Sequence, residues 1–338
     1  MLLIGKRMQN FIQFLKLTRP LNLVIIALTM WLMRYFVLRP MVEVNGFELQ
    51  LSNLHFLLLI LSTVLIAAAG NVINDYFDQQ TDRVNKPKDI IVGVHVKRRV
   101  AMGVHQLFNL IGLAIAVFVA WRIGMWKLSI LSFFAAGSLW FYSVQFKKDL
   151  IIGNVIIAFL AGLVPLLVGI YEVPLLIKEY GQQVVDAYAI NLPGQDPSDY
   201  FRVMFYFIFG YSIFAFILNL IREIQKDMAD IKGDIRINAR TIPIAYGLKK
   251  AKVITAVLIV STMFSLVFLQ QKVVSDNYSL GYLIVAILLP LLISLWYNHK
   301  AVKRNEFVKA GNFLKLAMLG GILYSIVHYY IYYASDIV

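Results

Sequence analysis

Nine long apolar segments, spread along the whole chain, restrict its fold more than any other feature of the sequence. Each is about 18 to 21 residues long, close to the ~20 residues that an α-helix needs to cross the hydrocarbon core of a bilayer. Strands of a membrane β-barrel are about half as long and alternate between apolar and polar residues, which excludes a barrel. We therefore predict an all-α, polytopic membrane protein with nine transmembrane helices. The segments cover approximately residues 21–38, 54–73, 104–121, 128–146, 151–171, 203–221, 253–270, 278–297 and 316–333.

The composition excludes the other broad classes of protein. Of the 338 residues, 60% are apolar and only 15% are charged, against about 25% charged in an average soluble domain. A disordered chain is excluded because disorder requires low hydrophobicity. The chain has no cysteine, which removes thiolate metal sites and cysteine nucleophiles from consideration.

The basic residues predict how the helices are oriented. With the N-terminus inside, 25 of the 32 Lys and Arg residues fall on the inside and six fall on the outside. Such an excess is typical of cytoplasmic loops, so the N-terminus and the long inside loops are expected in the cytoplasm and the C-terminus outside. The net charge of +13 is thereby explained by topology and by contact with membrane lipids, and we expect no nucleic-acid partner.

We expect one membrane-embedded domain over residues 1–338, with one long outer loop over residues 172–202. This stretch contains five acidic residues and three turn-forming residues, Pro193, Gly194 and Pro197, a composition typical of a solvated loop.

Polar residues form a first motif at the inside end of the second apolar segment. At 100° per residue, five side chains share a helical stripe of ~100°, and Pro87 is expected to end the helix beyond them. They are Asn71, Asn74, Asp75, Asp78 and Asp82.

A second motif follows the sixth apolar segment and is also predicted to lie inside. Glu223, Asp227, Asp230 and Asp234 again share one face of a helix. Gly233 favours an end to the helix at this point, just before Asp234.

The two stripes together indicate a divalent-cation site. Clustered carboxylates repel one another unless a cation neutralises them. Oxygen ligands suit Mg²⁺, which commonly bridges to substrate phosphates, and the absence of His from both stripes argues against zinc. Nearby cations extend the prediction to a metal–phosphate complex. The candidates for contact with the phosphate groups are Arg19, Lys147, Arg222 and Lys226.

The sequence resembles the UbiA-type superfamily of intramembrane prenyltransferases over nearly its whole length. The first motif matches the family pattern N-D-x-x-D-x-x-x-D at residues 74–82, and the second matches D-x-x-x-D at residues 230–234. Further agreement lies in Leu17-Thr18-Arg19-Pro20, Tyr142-Ser143 with Lys147, Gly153-Asn154, and Arg240-Thr241-Ile242-Pro243. One departure is the stretch over residues 85–93, which lacks the second Arg-Pro of the family's usual turn.

The resemblance implies nine helices around a central cavity, with a cap of inside loops and an opening to lipid. It implies transfer of a prenyl chain from an allylic diphosphate, such as geranylgeranyl diphosphate, with Mg²⁺ as cofactor. The implied catalytic and metal-binding residues are Asn74, Asp78, Asp82, Asp230 and Asp234. The implied diphosphate-binding residues are Arg19, Lys147, Lys226 and Arg222, and Asn71, Asp75 and Asp227 are candidates for supporting positions behind the metal.

The sequence leaves alternatives open for the acceptor molecule and for the class of function. The wording of the motifs looks most like the subgroup that alkylates geranylgeranylglyceryl phosphate. Members that alkylate 4-hydroxybenzoate or dihydroxynaphthoate share the same motifs. An ion-coupled transporter is the alternative from another class, but transporters usually place their carboxylates near the membrane midplane on broken helices. Four aromatic residues are candidates for lining an apolar tunnel: Phe141, Tyr142, Tyr206 and Tyr211.

Overall fold

The computed structural model describes residues 12–332. Within that range, nine helices are long and apolar enough to cross a membrane. They are α1 (Pro20–Glu43), α2 (Asn53–Phe77), α3 (Arg98–Arg122), α4 (Trp126–Val144), α5 (Ile152–Asn191), α6 (Ser198–Arg236), α7 (Leu248–Val274), α8 (Asn277–Lys300) and α9 (Arg304–Ile331). Residues 1–11, part of the predicted inside segment, lie outside the described residues.

The predicted all-α class and the predicted number of helices are confirmed. Each of the nine helices covers one of the apolar segments to within two residues, and the described residues form no β-strand beyond one isolated bridge between Val92 and Val96. The helices extend past the apolar segments at most ends because the sequence there continues with good helix formers. The short helix Gln79–Asn85 follows α2 and ends just before Pro87, as predicted.

The predicted outer loop over residues 172–202 is wrong, because most of this stretch is helical. Helix α5 continues to Asn191 and α6 begins at Ser198, so only residues 192–197 connect them. At 1.5 Å per residue, α5 is ~60 Å long, about twice the thickness of the bilayer core. The turn contains the two prolines and Gly194, which adopts a positive φ of 89°. The turn-forming residues were therefore predicted correctly. The charged residues before them wrongly suggested a loop where the chain is helical.

A buried ion pair joins α1 to the extended part of α5. Arg34 Nη1 lies 2.7 Å from Glu172 Oε2, and the two residues are 1% and 0% exposed. Glu172 Oε1 also accepts hydrogen bonds from the backbone N–H groups of Gln50 (2.5 Å) and Leu51 (3.0 Å), and Arg34 donates to the carbonyl of Leu51. Glu172 is therefore a core residue that fixes the α1–α2 connection, not part of a solvated loop.

Six of the nine helices form a closed inner ring. Around the ring, each helix packs on the next in the order α1, α2, α4, α5, α6, α9 and back to α1. Helix α3 packs outside α2 and α4, and α7 and α8 pack outside α6 and α9. Exposed apolar side chains on these outer helices, such as Leu110, Phe264 and Val285, are suited to contact with lipid. Helix α1 also packs on α5 and α6 across the ring, and the rest of the centre is left for a cavity.

We predict that Glu172→Gln destabilises the fold by about 3–5 kcal/mol, because it leaves the buried charge of Arg34 without a counterion. The double variant R34M/E172Q recovers part of that loss, since no unpaired charge remains. Unfolding in detergent micelles measures both effects.

The matched control is Glu43→Gln, which removes the exposed pair that Glu43 makes with Arg39 at 2.7 Å. It is expected to change the free energy of unfolding by less than about 1 kcal/mol. A Glu172→Gln variant as stable as this control would contradict the structural role of the buried pair.

Candidate active site

A cavity of about 810 Å³ lies within the inner ring. It is lined by residues of all six inner helices, by the segment over residues 81–89 and by Lys147. All thirteen polar side chains singled out from the sequence line this one cavity: Arg19, Asn71, Asn74, Asp75, Asp78, Asp82, Lys147, Arg222, Glu223, Lys226, Asp227, Asp230 and Asp234. The two motifs are separated by about 150 residues in sequence, and the fold brings both of them to the lining of this cavity.

The first motif keeps its single face across a break in the helix. Helix α2 ends at Phe77, and Asp78 connects it to the short helix Gln79–Asn85. Asp78 stays in the right-handed region, with φ −77°, and the backbone hydrogen bonds from Asp78 to Asn74 and from Asp82 to Asp78 continue through the junction. The stripe predicted for an unbroken helix therefore survives. Asn74 Nδ2 donates to Asp78 Oδ2 at 2.9 Å.

Lys147 forms an ion pair with Asp78 at the end of the cavity where the two motifs lie. Burial opposes ionisation of Asp78, but the ammonium of Lys147, helped by more distant cations, outweighs it and sets the pKa of Asp78 below its ordinary value. The backbone near Lys147 is held against the start of α5. A Cβ on Gly153 would lie 2.6 Å from the carbonyl oxygen of Phe146, so only glycine permits this approach.

Asp82 and Asn74 carry the donor atoms of the first motif that remain available. Burial, followed by the nearby charge of Asp78, raises the pKa of Asp82, and Asp82 has no ion pair in the described range. Asn74 is 7% exposed, and its Oδ1 atom is buried without a hydrogen-bond partner among the described residues. Such an orphaned acceptor beside carboxylates is what a hard cation would satisfy.

The second motif lies on the last turns of α6. The expectation that Gly233 ends this helix is wrong, because α6 continues to Arg236 and buries Asp234 to 5% exposure. Glu223 accepts from Arg222 at 2.7 Å and from Lys226 at 3.4 Å. One carboxylate thus neutralises only one of two adjacent cations.

Two residues outside the predicted set hold the second motif in place. Arg304, at the start of α9, places its Nε 3.3 Å from Asp230 Oδ1. Asn154, near the start of α5, donates to Asp227 Oδ2 at 2.8 Å. Nothing in the sequence around Arg304 indicates this contact, whereas Asn154 belongs to the Gly-Asn match noted above.

Asn85 connects the two motifs directly. Its Oδ1 accepts from the backbone N–H of Gly233 at 3.1 Å, and its Nδ2 donates to the carbonyl of Asp230 at 3.1 Å. The short helix Gln79–Asn85 can come this close because Gly233 has no side chain. A Cβ at Gly233 would lie 2.7 Å from Thr81 Cγ2 and would also collide with the Asn85 amide. The role of Gly233 is therefore close packing between the motifs.

Arg19 enters the cavity from the turn before α1. Its backbone is left-handed, with φ 55°, a conformation that non-glycine residues adopt only when their surroundings hold them there. Arg19 Nη2 lies 2.6 Å from Asp75 Oδ1, and Asn71 Nδ2 donates to the carbonyl of Thr18 at 3.0 Å. Asn71 and Asp75 therefore fasten this turn onto α2.

The donor atoms fit Mg²⁺ bound together with a phosphate ligand. Within the described residues, no three carboxylates or histidines converge on a ready-made metal site. Mg²⁺ usually takes one or two carboxylates together with waters and substrate phosphates, so a three-carboxylate cage is not required. Of the five residues that the resemblance assigns to the metal, Asn74, Asp82 and Asp234 offer oxygen atoms without an ion pair in the part of the chain described.

The aromatic predictions divide into two pairs. Tyr142 and Tyr211 line the cavity. Phe141 and Tyr206 do not, since they are 55% and 63% exposed on the outer faces of α4 and α6. Lys86, one of the basic residues predicted to lie inside, also lines the cavity, together with Asp89, which the sequence did not single out; both lie in the turn that departs from the family pattern.

Comparison with known proteins identifies the family. A model of the UbiA prenyltransferase family matches residues 46–319. The chain belongs to the UbiA prenyltransferase family. It is 28% identical over 298 residues to a digeranylgeranylglyceryl phosphate synthase from Thermococcus kodakarensis, covering 88% of this chain and 89% of the relative. It is 31% identical over 277 residues to the protein of the same name from Pyrococcus abyssi, covering 78% and 86%.

A solved structure supports the fold. It is described as a digeranylgeranylglyceryl phosphate synthase in membranes and is 23% identical, with a TM-score of 0.59 over 94% of this chain and 99% of that chain. This UbiA-family protein is therefore a prenyltransferase and an integral membrane protein. The family assignment decides against the transporter left open by the sequence.

We predict that Gly233→Ala lowers prenyl transfer at least tenfold, because the added methyl group separates the short helix Gln79–Asn85 from α6 and misaligns the motifs. Overpacking of this kind typically costs about 1–3 kcal/mol. Turnover and unfolding of purified protein in detergent measure the two effects.

Gly210→Ala is the matched control on the same helix, since a Cβ there meets nothing within 4 Å. Alanine is also the better helix former, so this variant is expected to keep full activity. Equal activity of the two variants would show that the contact between the motifs does not matter.

Proposed function

We propose that this UbiA-family prenyltransferase transfers a geranylgeranyl group from geranylgeranyl diphosphate to geranylgeranylglyceryl phosphate, with Mg²⁺, at a cytoplasmic active site. The observation that carries the proposal is the shared cavity: the amide and carboxylates of both motifs and seven Lys and Arg side chains line one space whose other walls are largely apolar. A diphosphate with a long apolar tail matches this lining, because its charged head suits the polar residues and its tail suits the apolar walls.

The polar end of the cavity is suited to the leaving group. Mg²⁺ held by Asn74, Asp78, Asp82, Asp230 and Asp234 would supply charge stabilisation to the diphosphate. Lys147 pairs with Asp78, Lys226 pairs with Glu223, and Arg19 is anchored by Asp75. Their positive charges are fixed before the substrate binds, so they stabilise the charge that develops on the departing diphosphate without reorganisation.

The apolar end is suited to the prenyl chain. Ile25, Leu131, Leu139, Leu160 and Leu163 line it. Burial of a C₂₀ chain against such walls is favourable by ~0.8 kcal/mol per CH₂, and the walls exclude the water that would capture an allylic cation. The rings of Tyr142 and Tyr211 on the lining offer faces that attract a cation.

The proposed transfer balances without any further reactant. The allylic C–O bond breaks, and diphosphate leaves with the bonding electrons. The hydroxyl oxygen of the acceptor forms the new bond to the same carbon, and its proton passes to the departing diphosphate. The product is an ether that carries two prenyl chains.

The names of the relatives favour this acceptor over an aromatic acid. The digeranylgeranylglyceryl phosphate synthases match over most of their own length, 89% and 86% for the two described above. The excess of Lys and Arg at the motif end of the helices supports a cytoplasmic location for the active site and the N-terminus.

We predict that Asp78→Ala and Asp230→Ala each reduce turnover by about 100-fold or more, because each removes charge from the diphosphate site. Both variants are expected to insert and to elute as folded protein. Asp186→Ala removes an exposed carboxylate at the outer end of α5 and is the control, with turnover unchanged. Near-normal turnover in both motif variants would contradict the assigned roles.

We predict that EDTA abolishes transfer and that added Mg²⁺ restores it, because the diphosphate cannot leave while its charge is uncompensated. The acceptor is tested in the same assay by mass spectrometry, with geranylgeranyl diphosphate and an equal mixture of geranylgeranylglyceryl phosphate, 4-hydroxybenzoate and dihydroxynaphthoate. A product with two geranylgeranyl chains on glyceryl phosphate supports the proposal, and prenylated aromatic acids alone would overturn it.

A further inference from the structure

Lys315 is a cation on the cavity wall that neither motif uses. It lies on α9, eleven residues after Arg304, and therefore ~16 Å along the helix from its inside end. Its side chain lines the cavity beside Asn312, one helical turn away. No hydrogen bond or ion pair to Lys315 occurs within the described residues. A charged lysine at such a depth in a membrane helix is costly unless it faces a cavity and meets an anion.

Arg222 lies at a similar depth on the neighbouring helix. The contact of Arg304 with Asp230 marks one level where α6 and α9 meet. From that level, Arg222 is eight residues, or ~12 Å, back along α6, and the two helices run in opposite directions. A second point of approach lies nearer: a Cβ on Gly311 of α9 would lie 3.7 Å from Gln225 Oε1 of α6. Lys315 and Arg222 each lie about one helical turn deeper than that point on their own helix, and both line the cavity.

The cavity thus has two poles of opposite charge. At the inside end, Asp82 and Asp234 have no cation partner in the described range. Deeper, Glu223 is shared by Arg222 and Lys226, and Lys315 adds a further positive charge. A metal-loaded diphosphate suits the acidic pole, whereas the basic pole suits an anion that brings no metal.

We propose that Lys315, together with Arg222, binds the phosphate group of the acceptor, a phosphate monoester on a prenylated glycerol. This inference rests on the proposed function and revises the sequence-based expectation that Arg222 contacts the diphosphate. In a glyceryl phosphate, the carbon bearing the phosphate adjoins the carbon bearing the free hydroxyl. The free hydroxyl is therefore only a few bonds from the phosphate. A phosphate bound by Lys315 and Arg222 places that hydroxyl close to them, on the side that faces the diphosphate pole. Lys315 is a specificity-determining residue that acts on the acceptor.

Steady-state kinetics of Lys315→Met test the inference. Loss of a charge-assisted contact to phosphate is expected to raise the KM for geranylgeranylglyceryl phosphate about tenfold or more. The KM for geranylgeranyl diphosphate is expected to stay within about twofold. With uncharged geranylgeranylglycerol as acceptor, K315M and the wild type are expected to be equal. Lys315→Arg restores the low KM because it restores the charge.

Lys309→Met is the matched control on α9, since Lys309 is exposed and lies outside the cavity over the ring of Tyr297. A binding measurement does not depend on turnover. Geranylgeranylglyceryl phosphate is expected to raise the Tm of the wild type and of K309M but not of K315M. Without ligand, K315M is expected to be at least as stable as the wild type, because an unpaired charge is removed; a misfolded K315M would overturn the inference.

The outcomes separate this inference from the proposed function. A wild type that uses the phosphate acceptor while K315M keeps its KM overturns the anion site alone. A rise in the KM for geranylgeranyl diphosphate instead would assign Lys315 to the donor and also overturn the inference. A wild type that prenylates only aromatic acids overturns the proposed function, and the acceptor site with it.

Discussion

The structure depends on one constraint: charge inside an apolar helical bundle must be neutralised by a partner or must face a cavity. Two arrangements meet it in different ways. Arg34 and Glu172 neutralise each other and are buried from solvent. Glu172 also accepts a hydrogen bond from the backbone of the α1–α2 connection at Gln50. The motif residues are neutralised only in part, and the remaining charge faces the cavity. The first arrangement stabilises the fold. The second leaves uncompensated charge in the cavity, so binding of a ligand of complementary charge is favourable.

The division of the helices follows from that constraint. Helices α1, α2, α4, α5, α6 and α9 form the ring that surrounds the charged space, while α3, α7 and α8 shield it from outside. Within the ring, small contacts set the geometry. Gly233 lets the first motif approach the second, and Gly153 lets the backbone beside Lys147 approach α5. The side-chain amide of Asn85 then joins the two motifs by hydrogen bonds to the backbone of Asp230 and Gly233. None of these groups is ionisable, so this connection does not depend on pH.

Much of this arrangement could be predicted from the sequence because the strongest signals are periodic. Apolar segments of bilayer length predicted the nine helices, and the 3.6-residue period placed the motif residues on single faces that do line one cavity. The segment over residues 172–202 was misjudged because its charges resemble those of a loop, although Glu172 is paired across the bundle. Gly233 was misjudged because a glycine that ends a helix and one that permits close packing have the same sequence. Contacts such as Arg304 with Asp230 join residues 74 positions apart and leave no local pattern.

The central claim is that both motifs hold one metal–diphosphate complex. Electron–nuclear double resonance on Mn²⁺-substituted protein with the thiolodiphosphate analogue of geranylgeranyl diphosphate tests it most directly. The wild type should show Mn²⁺ coupled to the ³¹P nuclei of the analogue, and this signal should be lost both in Asp82→Asn, from the first motif, and in Asp234→Asn, from the second. A coupled signal that persists unchanged when either carboxylate is removed would contradict the account.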